Sequence, residues 1–272
     1  MGLHHNPYLS SGAKPIFRRG GEVGCLCIHG FSAAPTEISW LADHLHETLN
    51  MTTYTPRLAG HGTDYRAMHR MHWHDWYMSA RDGYQLLQDQ CDTVYIAGIS
   101  MGGLLALMLT SAADTDPAAT AVIASPTHFT SPGVDQARWM RFFRRFAHLP
   151  DRTDVPQIVR EEQQRRGEPI VGRTHYSTWA VSAVAQMSLL AEAVRENLYQ
   201  IDTPLALIYA EHDHAVPLSC MDFIEAHVKS ETVERLVLHR SRHLVTQDVE
   251  RDTAFQFIET FFERTPAHAV SL

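Results

Sequence analysis

The stretch Gly98-Ile99-Ser100-Met101-Gly102-Gly103 decides the fold. It follows the apolar run Val94 to Ala97 and precedes a segment rich in Leu and Ala, Met101 to Thr110. We therefore predict a buried strand, a sharp turn and a helix, in that order. The glycines on both sides of Ser100 allow a turn tight enough to hold its hydroxyl above the sheet in a strained conformation. The pattern G-x-S-x-G alone is weak, because it also occurs in simple strand-to-helix turns, but this context favours a nucleophilic serine.

Short apolar runs alternate with longer amphipathic segments on both sides of this turn. The predicted strands are Val23 to Ile28, Thr52 to Thr55, Thr93 to Ala97, Ala119 to Ala124, Leu205 to Ala210 and Arg235 to Leu238. The predicted helices are Thr36 to Leu49, Asp75 to Leu87 with Asp75 as N-cap, Met101 to Thr110, Ser219 to Val228, and Val249 to Phe262 with Asp248 as its cap. This alternation predicts an α/β fold with a mostly parallel central sheet flanked by helices.

The alternation stops between residues 127 and 198, where no buried strand is evident. We interpret residues 127–198 as a helical cap inserted into a core formed by residues 1–126 and 199–272. Within the cap, Thr178 to Leu198 is a long helical pattern that includes Trp179 and Met187. These two side chains are candidates for the wall of a substrate pocket.

A basic and aromatic segment, Arg138 to Leu149, lies in the same cap. As a helix, it would place Trp139, Phe142, Phe143 and Phe146 on one face. Two interpretations stay open. The face packs on the core as in any amphipathic helix, or it forms an apolar lid that borders an acyl pocket, with the arginines in transient contact with a lipid surface.

The composition excludes several classes of protein. The chain has 272 residues, a formal net charge of -8 and 44% hydrophobic residues. This hydrophobic content is too high for a disordered chain, and the acidic balance argues against binding of nucleic acid. No apolar run approaches the ~18 residues of a membrane-spanning helix, and the first residues show no signal peptide or myristoylation pattern. The thiols are interpreted as small buried hydrophobes in a reducing cytoplasm, namely Cys25, Cys27, Cys91 and Cys220.

A second motif, His29-Gly30-Phe31, directly follows the predicted strand Val23 to Ile28. Acyl transfer needs backbone N–H donors aimed at the oxyanion that develops in the transition state. The amide of Met101, which follows the serine, and the amide of Phe31 are placed to supply them. The side chain of His29 is expected to brace this loop rather than to act as a base.

An acid and a base should follow the serine in the order Ser, Asp, His. Asp213 lies just past the predicted strand Leu205 to Ala210, and we favour it over the neighbouring Glu211. His243 lies in the loop before the last helix, and we favour it over His239, which is still at a strand end. Ser100, Asp213 and His243 are therefore the predicted catalytic residues.

With these residues in place, the chain resembles the α/β-hydrolases, and more narrowly the bacterial monoacylglycerol lipases and related small carboxylesterases. The resemblance covers about residues 23 to 262. Its pieces are His29-Gly30-Phe31, Thr55 to Thr63, Asp75-Trp76, Gly98 to Gly103, the Asp213 loop and His243 to Asp248. It implies hydrolysis of a small-molecule ester through a Ser-His-Asp triad and an acyl-enzyme, without a cofactor and under a cap. The segment Arg138 to Pro169 looks longer and more basic than the cap of that family.

Two alternatives stay open. The same triad could cleave a thioester, an amide or a carbon–carbon bond, since a fold does not settle the substrate. The chain could also be a non-catalytic binding module of hydrolase shape. A metal site is not expected, because His72-Trp73-His74-Asp75 is an incomplete version of a binuclear zinc motif and no other ligand set is visible.

Overall fold

The computed structural model describes residues 9–148, 155–170, 172 and 174–265. The prediction for the N-terminal residues 1–8 therefore lies outside the described residues. Residues 149–154, which belong to the segment Arg138 to Pro169, also lie outside the described residues.

Among the described residues, seven strands form the central sheet, and two short ones form a separate pair between residues 127 and 198. The strands are β1 (Ile16–Arg18), β2 (Val23–Ile28), β3 (Thr52–Thr55), β4 (Thr93–Ile99), β5 (Thr120–Ile123), β6 (Phe146–His148), β7 (Thr178–Ala180), β8 (Leu205–Ala210) and β9 (Val233–Leu238). The central order is β1-β3-β2-β4-β5-β8-β9. All neighbours in this sheet are parallel except β1, which pairs antiparallel with β3. The predicted mostly parallel sheet is confirmed, and β1 is an addition that the sequence pattern did not predict.

Eight α-helices accompany the strands in the described part of the chain. They are α1 (Ser39–Leu49), α2 (Trp73–Gln88), α3 (Met101–Thr110), α4 (Pro132–Met140), α5 (Gln157–Arg165), α6 (Val181–Asn197), α7 (Ser219–His227) and α8 (Arg251–Arg264). Two buried clusters fill the two faces of the sheet. One packs against α2, α3 and α6, and the other against α1 and α8. The strands β4, β5 and β8 are almost entirely buried, as expected for a parallel sheet covered on both faces.

Parallel pairing brings the ends of the central strands to one edge. Ile28 pairs with Gly98, and Ile99 pairs with Ile123, which in turn pairs with Ile208. The residues that follow these strands therefore meet at the carboxyl edge of the sheet. Ligands of open α/β sheets bind at this edge, and here it holds the loops that begin at His29, Ser100 and Glu211.

Two predicted helix caps are wrong. Asp75 is not the N-cap of α2. His72 takes that position, and Asp75 is three residues further on, where its carboxylate accepts the His72 backbone N–H at 2.7 Å in a capping box. Asp248 does not cap the last helix either, because α8 begins only at Arg251, with Glu250 as its N-cap residue.

The segment between β5 and β8 contains α4, α5 and α6 and a small antiparallel sheet of β6 and β7. The sequence pattern did not indicate this strand pair, in which β6 is only partly buried and each strand has three residues. The expected helix from Arg138 onward is wrong, because α4 ends at Met140 and the chain turns and enters β6 at Phe146. In β6, Phe146 pairs with Ala180 of β7, and its ring packs on Tyr65 at 5.3 Å between ring centres.

None of the described helices is both long and apolar enough to cross a membrane. The four cysteines are buried and free.

Candidate active site

Ser100 occupies the sharp turn between β4 and α3. Its backbone has φ 56° and ψ −120°, a left-handed conformation that non-glycine residues rarely adopt. Its N–H donates to the Ile123 carbonyl at 2.8 Å, which ties the turn to β5. Glycine is required on both sides, because a Cβ at Gly98 would collide with the carbonyl of Gly102, and one at Gly102 with the carbonyl of Ile28. The sequence thus holds the Ser100 hydroxyl at the carboxyl edge of the sheet, as predicted from the motif.

A chain of hydrogen bonds joins Ser100 to His243 and Asp213. The His243 Nε2 lies 3.1 Å from the Ser100 Oγ, and the His243 Nδ1 lies 2.7 Å from the Asp213 Oδ2. The Asp213 side chain is fully buried, whereas that of His243 is about a quarter exposed, at 27%. A serine hydroxyl next to an imidazole whose other nitrogen contacts a buried carboxylate can be activated as a nucleophile.

The carboxylate of Asp213 is fixed from both sides. Its second oxygen, Oδ1, accepts the backbone N–H groups of Ala215 and Val216 at 2.8 and 3.0 Å. Because these bonds occupy Oδ1, Oδ2 is left to face His243. The competing pair of the sequence analysis, Glu211 and His239, lies elsewhere: the two side chains bond each other at 2.9 Å and are largely exposed. This contact with His239 lowers the pKa of Glu211.

Glu250 holds the loop that positions His243, a role that the sequence did not suggest. Its carboxylate accepts the N–H groups of Arg240 and Ser241 at 2.8 and 2.7 Å and the Ser241 hydroxyl at 2.8 Å. Partial burial opposes ionisation of Glu250, but these hydrogen bonds outweigh it and lower its pKa. Asp248 adds a bond from the Arg242 N–H at 2.8 Å. Acidic residues near a helix start are common, so no sequence signal separates this arrangement from ordinary capping.

The loop His29-Gly30-Phe31 lies directly beside Ser100, since a Cβ added at Gly30 would be 3.3 Å from the Ser100 Cβ. The His29 Nδ1 bonds the Gly30 carbonyl at 2.9 Å, and the Leu58 N–H donates to the His29 Nε2 at 3.2 Å. Because the Leu58 N–H donates to Nε2, Nδ1 is the ring nitrogen that donates to the Gly30 carbonyl, and this bond fixes the Gly30–Phe31 peptide plane. In a trans peptide the N–H points opposite to the carbonyl, so this bond also fixes the direction of the Phe31 N–H.

A cavity of about 440 Å³ opens above Ser100. Its lining includes Ser100 and His243 and also Trp179 and Met187 of the cap, two of the side chains predicted for a substrate pocket. Phe31, Phe129 and Val134 add apolar surface, and no sequence pattern pointed to Phe129 or Val134.

The structure places the three predicted cap phenylalanines away from this cavity. Phe142 and Phe143 project into solvent with 67% and 92% of their surface exposed. They follow the end of α4, and the turn that replaces the expected helix directs them outward. Phe146 is half-buried against Tyr65 and His69. None of these three side chains is among the described residues that line the cavity.

The incomplete zinc motif forms local contacts instead. The His72 backbone donates to the Asp75 carboxylate, and His74 stacks on Trp73 with 3.7 Å between ring centres. In the part of the chain that the structure describes, no group of three or more His, Cys, Asp or Glu side chains could hold a metal ion.

A mostly parallel sheet with a strained serine turn at its carboxyl edge, and with an acid and a histidine on later loops, defines an α/β-hydrolase. The chain belongs to the serine aminopeptidase S33 family, whose sequence pattern it matches over residues 23–250. It is therefore a hydrolase.

Two relatives of this chain are a lipase and an esterase. The chain is 28% identical to a thermostable monoacylglycerol lipase of a Bacillus species over 254 residues, 93% of this chain and 96% of that protein. It is 24% identical to a carboxylesterase of Bacillus subtilis, over 92% of this chain and 96% of the relative. Among solved structures, one from the metagenome-derived lipolytic enzymes LipS and LipT superposes with a TM-score of 0.83 at 23% identity, covering 94% of this chain and 99% of that one. This structural likeness shows the shared fold.

Proposed function

We propose that this hydrolase is a serine esterase that cleaves monoacylglycerol-like or other short-to-medium acyl esters. The observation that supports it most is the hydrogen-bonded series Ser100, His243 and Asp213 beneath a largely apolar cavity. The names of the two Bacillus relatives, a monoacylglycerol lipase and a carboxylesterase, point the same way. We also propose a reducing, cytoplasmic location, which the four free buried thiols support.

In the proposed reaction, Ser100 attacks the ester carbonyl while His243 takes the hydroxyl proton. The imidazolium then gives this proton to the departing alcohol, which leaves an acyl group on the Ser100 Oγ. Water, activated by the same imidazole, hydrolyses the acyl-enzyme and releases the acid. Asp213 holds the tautomer of His243 and stabilises its charged form. Ester and water account for every atom, so the proposed reaction uses no cofactor.

The oxyanion is proposed to bind the backbone N–H groups of Phe31 and Met101. Met101 is the first residue of α3, where N–H groups have no partner within the helix. Phe31 belongs to the loop beside Ser100, and His29 fixes the direction of its N–H. Two such donors stabilise the charge that develops on the carbonyl oxygen, and removal of one typically lowers kcat by about 10²–10³.

The cavity favours an uncharged acyl chain over a peptide N-terminus, the substrate suggested by the name of the family. An aminopeptidase must bind the ammonium group of its substrate, and burying that charge without a carboxylate partner is costly. Among the described residues that line the cavity, none is Asp or Glu. Phe31, Trp179 and Met187 instead present apolar surface that could contact an acyl chain.

A labelling experiment tests the nucleophile. A fluorophosphonate probe should label the wild-type protein and inactivate it, and Ser100→Ala should abolish labelling. The same variant should lower kcat by about 10⁴–10⁶ while its circular dichroism stays that of the wild type. A folded Ser100→Ala protein that kept more than about a tenth of its activity would refute this assignment, and an unlabelled wild type would favour a non-catalytic binding module.

A substrate panel tests the scissile bond. The panel compares a 1-monoacylglycerol, p-nitrophenyl esters, the matching thioester and an aminoacyl p-nitroanilide. We expect the highest kcat/KM on the oxygen esters and no measurable cleavage of the anilide. Preference for the anilide would replace the esterase proposal by an aminopeptidase, and preference for the thioester by a thioesterase.

A further inference from the structure

The turn between α4 and β6 exposes large apolar side chains at the surface of the cap. We call residues 138–145 the cap tip. Within it, Trp139, Phe142 and Phe143 are 76%, 67% and 92% exposed. The tight turn brings them together, because the Phe142 N–H donates to the Trp139 carbonyl and the Phe143 N–H to that of Met140. Most soluble proteins scatter such side chains singly, and clusters of them mark interaction surfaces.

The cap tip is also basic, although the chain as a whole is acidic. It contains four arginines and no Asp or Glu, against a net charge of -8 for the whole sequence. Arg138 pairs with Glu192 at 2.9 Å. In the described part of the chain, no carboxylate lies within ion-pairing distance of the other three, which are Arg141, Arg144 and Arg145. Arg144 and Arg145 are exposed to solvent, with the Arg144 Nε also donating to the Phe146 carbonyl at 2.9 Å, and the Arg141 guanidinium lies over the Phe142 ring.

One helix, α4, runs from the proposed active-site cavity to the cap tip. Val134, near the start of α4, lines the cavity, and Met140 ends the helix at the tip. Six residues separate them, which corresponds to ~9 Å along the axis. Because of this distance, side chains at the cap tip can be substituted without altering the lining of the cavity.

We propose that the cap tip docks on an anionic lipid surface. Exposed Trp and Phe beside Arg is the composition of segments that insert in the interface of a bilayer, where the rings enter the acyl boundary and the arginines reach phosphate groups. A second copy of the same tip is a poor partner, since the pairing would bring unpaired arginines together. The proposal goes beyond ester hydrolysis, because binding requires no turnover and occurs with Ser100 replaced.

Vesicle cosedimentation tests the proposal. The Ser100→Ala protein is mixed with vesicles of equimolar phosphatidylglycerol and phosphatidylcholine, or of phosphatidylcholine alone. We expect binding to the anionic vesicles that weakens as salt rises above ~0.1 M, where charges are screened beyond ~10 Å. Phe143→Ser should weaken binding about tenfold, and Arg145→Gln about fivefold, the usual effect of one basic residue at an anionic surface.

Two matched variants serve as controls: Met78→Ser removes a 46% exposed apolar side chain on α2, and Arg19→Gln removes an exposed arginine after β1. Both controls should bind the anionic vesicles as tightly as the Ser100→Ala parent. When the tip substitutions are made instead in the protein that keeps Ser100, every variant should hydrolyse a soluble acetyl ester at the wild-type rate. Absence of binding to anionic vesicles would overturn the proposal. The proposal would also be overturned if Phe143→Ser and Met78→Ser bound these vesicles equally well. A dimer that forms with rising protein concentration and that Phe143→Ser abolishes would overturn it too. None of these outcomes depends on whether the esterase proposal holds.

Discussion

Glu37 accepts the backbone N–H of Gly30 at 2.6 Å in an almost fully buried position. The backbone carbonyl of the same residue accepts the Thr246 hydroxyl at 2.6 Å, three residues beyond His243. Glu37 therefore connects the loop that contains Phe31 with the segment that follows His243. Because acyl transfer needs both parts in fixed positions relative to Ser100, Glu37 is placed to act as a positioning residue.

Glu37→Ala should lower kcat by about ten- to a hundredfold and leave KM within about threefold, since a loosened oxyanion amide weakens the transition state more than the ground state. Glu37→Gln should recover part of the loss, because its amide oxygen still accepts the Gly30 N–H. Steady-state kinetics on one soluble ester measure both parameters. Ser39→Ala is the control, since it removes a bond to the Thr36 carbonyl in the same segment and should keep wild-type kinetics. Equal kcat losses in Glu37→Ala and Ser39→Ala would mean that Glu37 serves stability alone.

Much of this site follows from local sequence patterns. The strand, the elbow and the start of α3 around Ser100 follow from an apolar run, paired glycines and a Leu-rich segment. The loops that hold Asp213 and His243 could be placed because the carboxyl ends of parallel strands meet at one edge, so the order of strands along the chain limits which loops can meet.

The cap could not be predicted in the same way. The stretch from Arg138 has helical periodicity, yet α4 ends at Met140, because the chain enters β6, which pairs with β7 about thirty residues later in the chain. A pairing between distant segments leaves no local signal. The roles of Glu37 and Glu250 could not be predicted for a similar reason. Their carboxylates accept backbone N–H groups of other loops, and a sequence pattern does not show which N–H a carboxylate will contact.

The acyl-chain preference should depend on Trp179 rather than on the exposed phenylalanines. Trp179 lines the cavity, and its ring lies 5.4 Å from that of Phe31. Each buried methylene contributes about 0.8 kcal/mol, or roughly fourfold in kcat/KM. Trp179→Ala should therefore lower kcat/KM several-fold more for an octanoyl than for an acetyl ester. Phe143→Ala is the control and should leave the octanoyl-to-acetyl ratio unchanged. A uniform loss for Trp179→Ala would place the acyl chain elsewhere.

His61 should make the protein less stable in mild acid. Its ring is fully buried between His29 and Trp76, and this burial lowers its pKa from 6.5 to about 4. The native protein thus keeps His61 neutral at a pH where the unfolded chain binds a proton. The free energy of unfolding should fall as the pH drops from about 6.5 to 4, by at most about 3 kcal/mol from this residue. Urea unfolding at several pH values measures the slope. His61→Asn should reduce it, whereas replacement of the exposed His227 by Asn should not. An unchanged slope in His61→Asn would contradict the assignment.

Glu162 should make stability depend on pH in a more acidic range than His61 does, because its ionised carboxylate joins α5 to α8 and, through Arg166, to α1. From α5 its carboxylate accepts bonds from Arg166 at 2.7 Å and from Arg251 of α8 at 2.8 Å, and Arg166 continues to Asp43 of α1 at 2.9 Å. Hydrogen bonds from Arg165 and then Arg166 outweigh the effect of burial and lower the pKa of Glu162 to about 2.

A carboxyl group with a lowered pKa stabilises the fold fully above its unfolded pKa of 4.5, and this stabilisation is lost as the pH falls through about 2. Glu162→Gln should therefore lower the free energy of unfolding by about 2 kcal/mol near neutral pH, and the difference from wild type should shrink below pH ~4. The neighbouring Glu161 is exposed and bonds only Gln157 among the described residues, so Glu161→Gln is the matched control and should cost less than about 0.5 kcal/mol. If both variants lost the same stability, or if the Glu162→Gln deficit were the same at pH 7 and near pH 2, the ionised carboxylate would not be what holds α5 to the core.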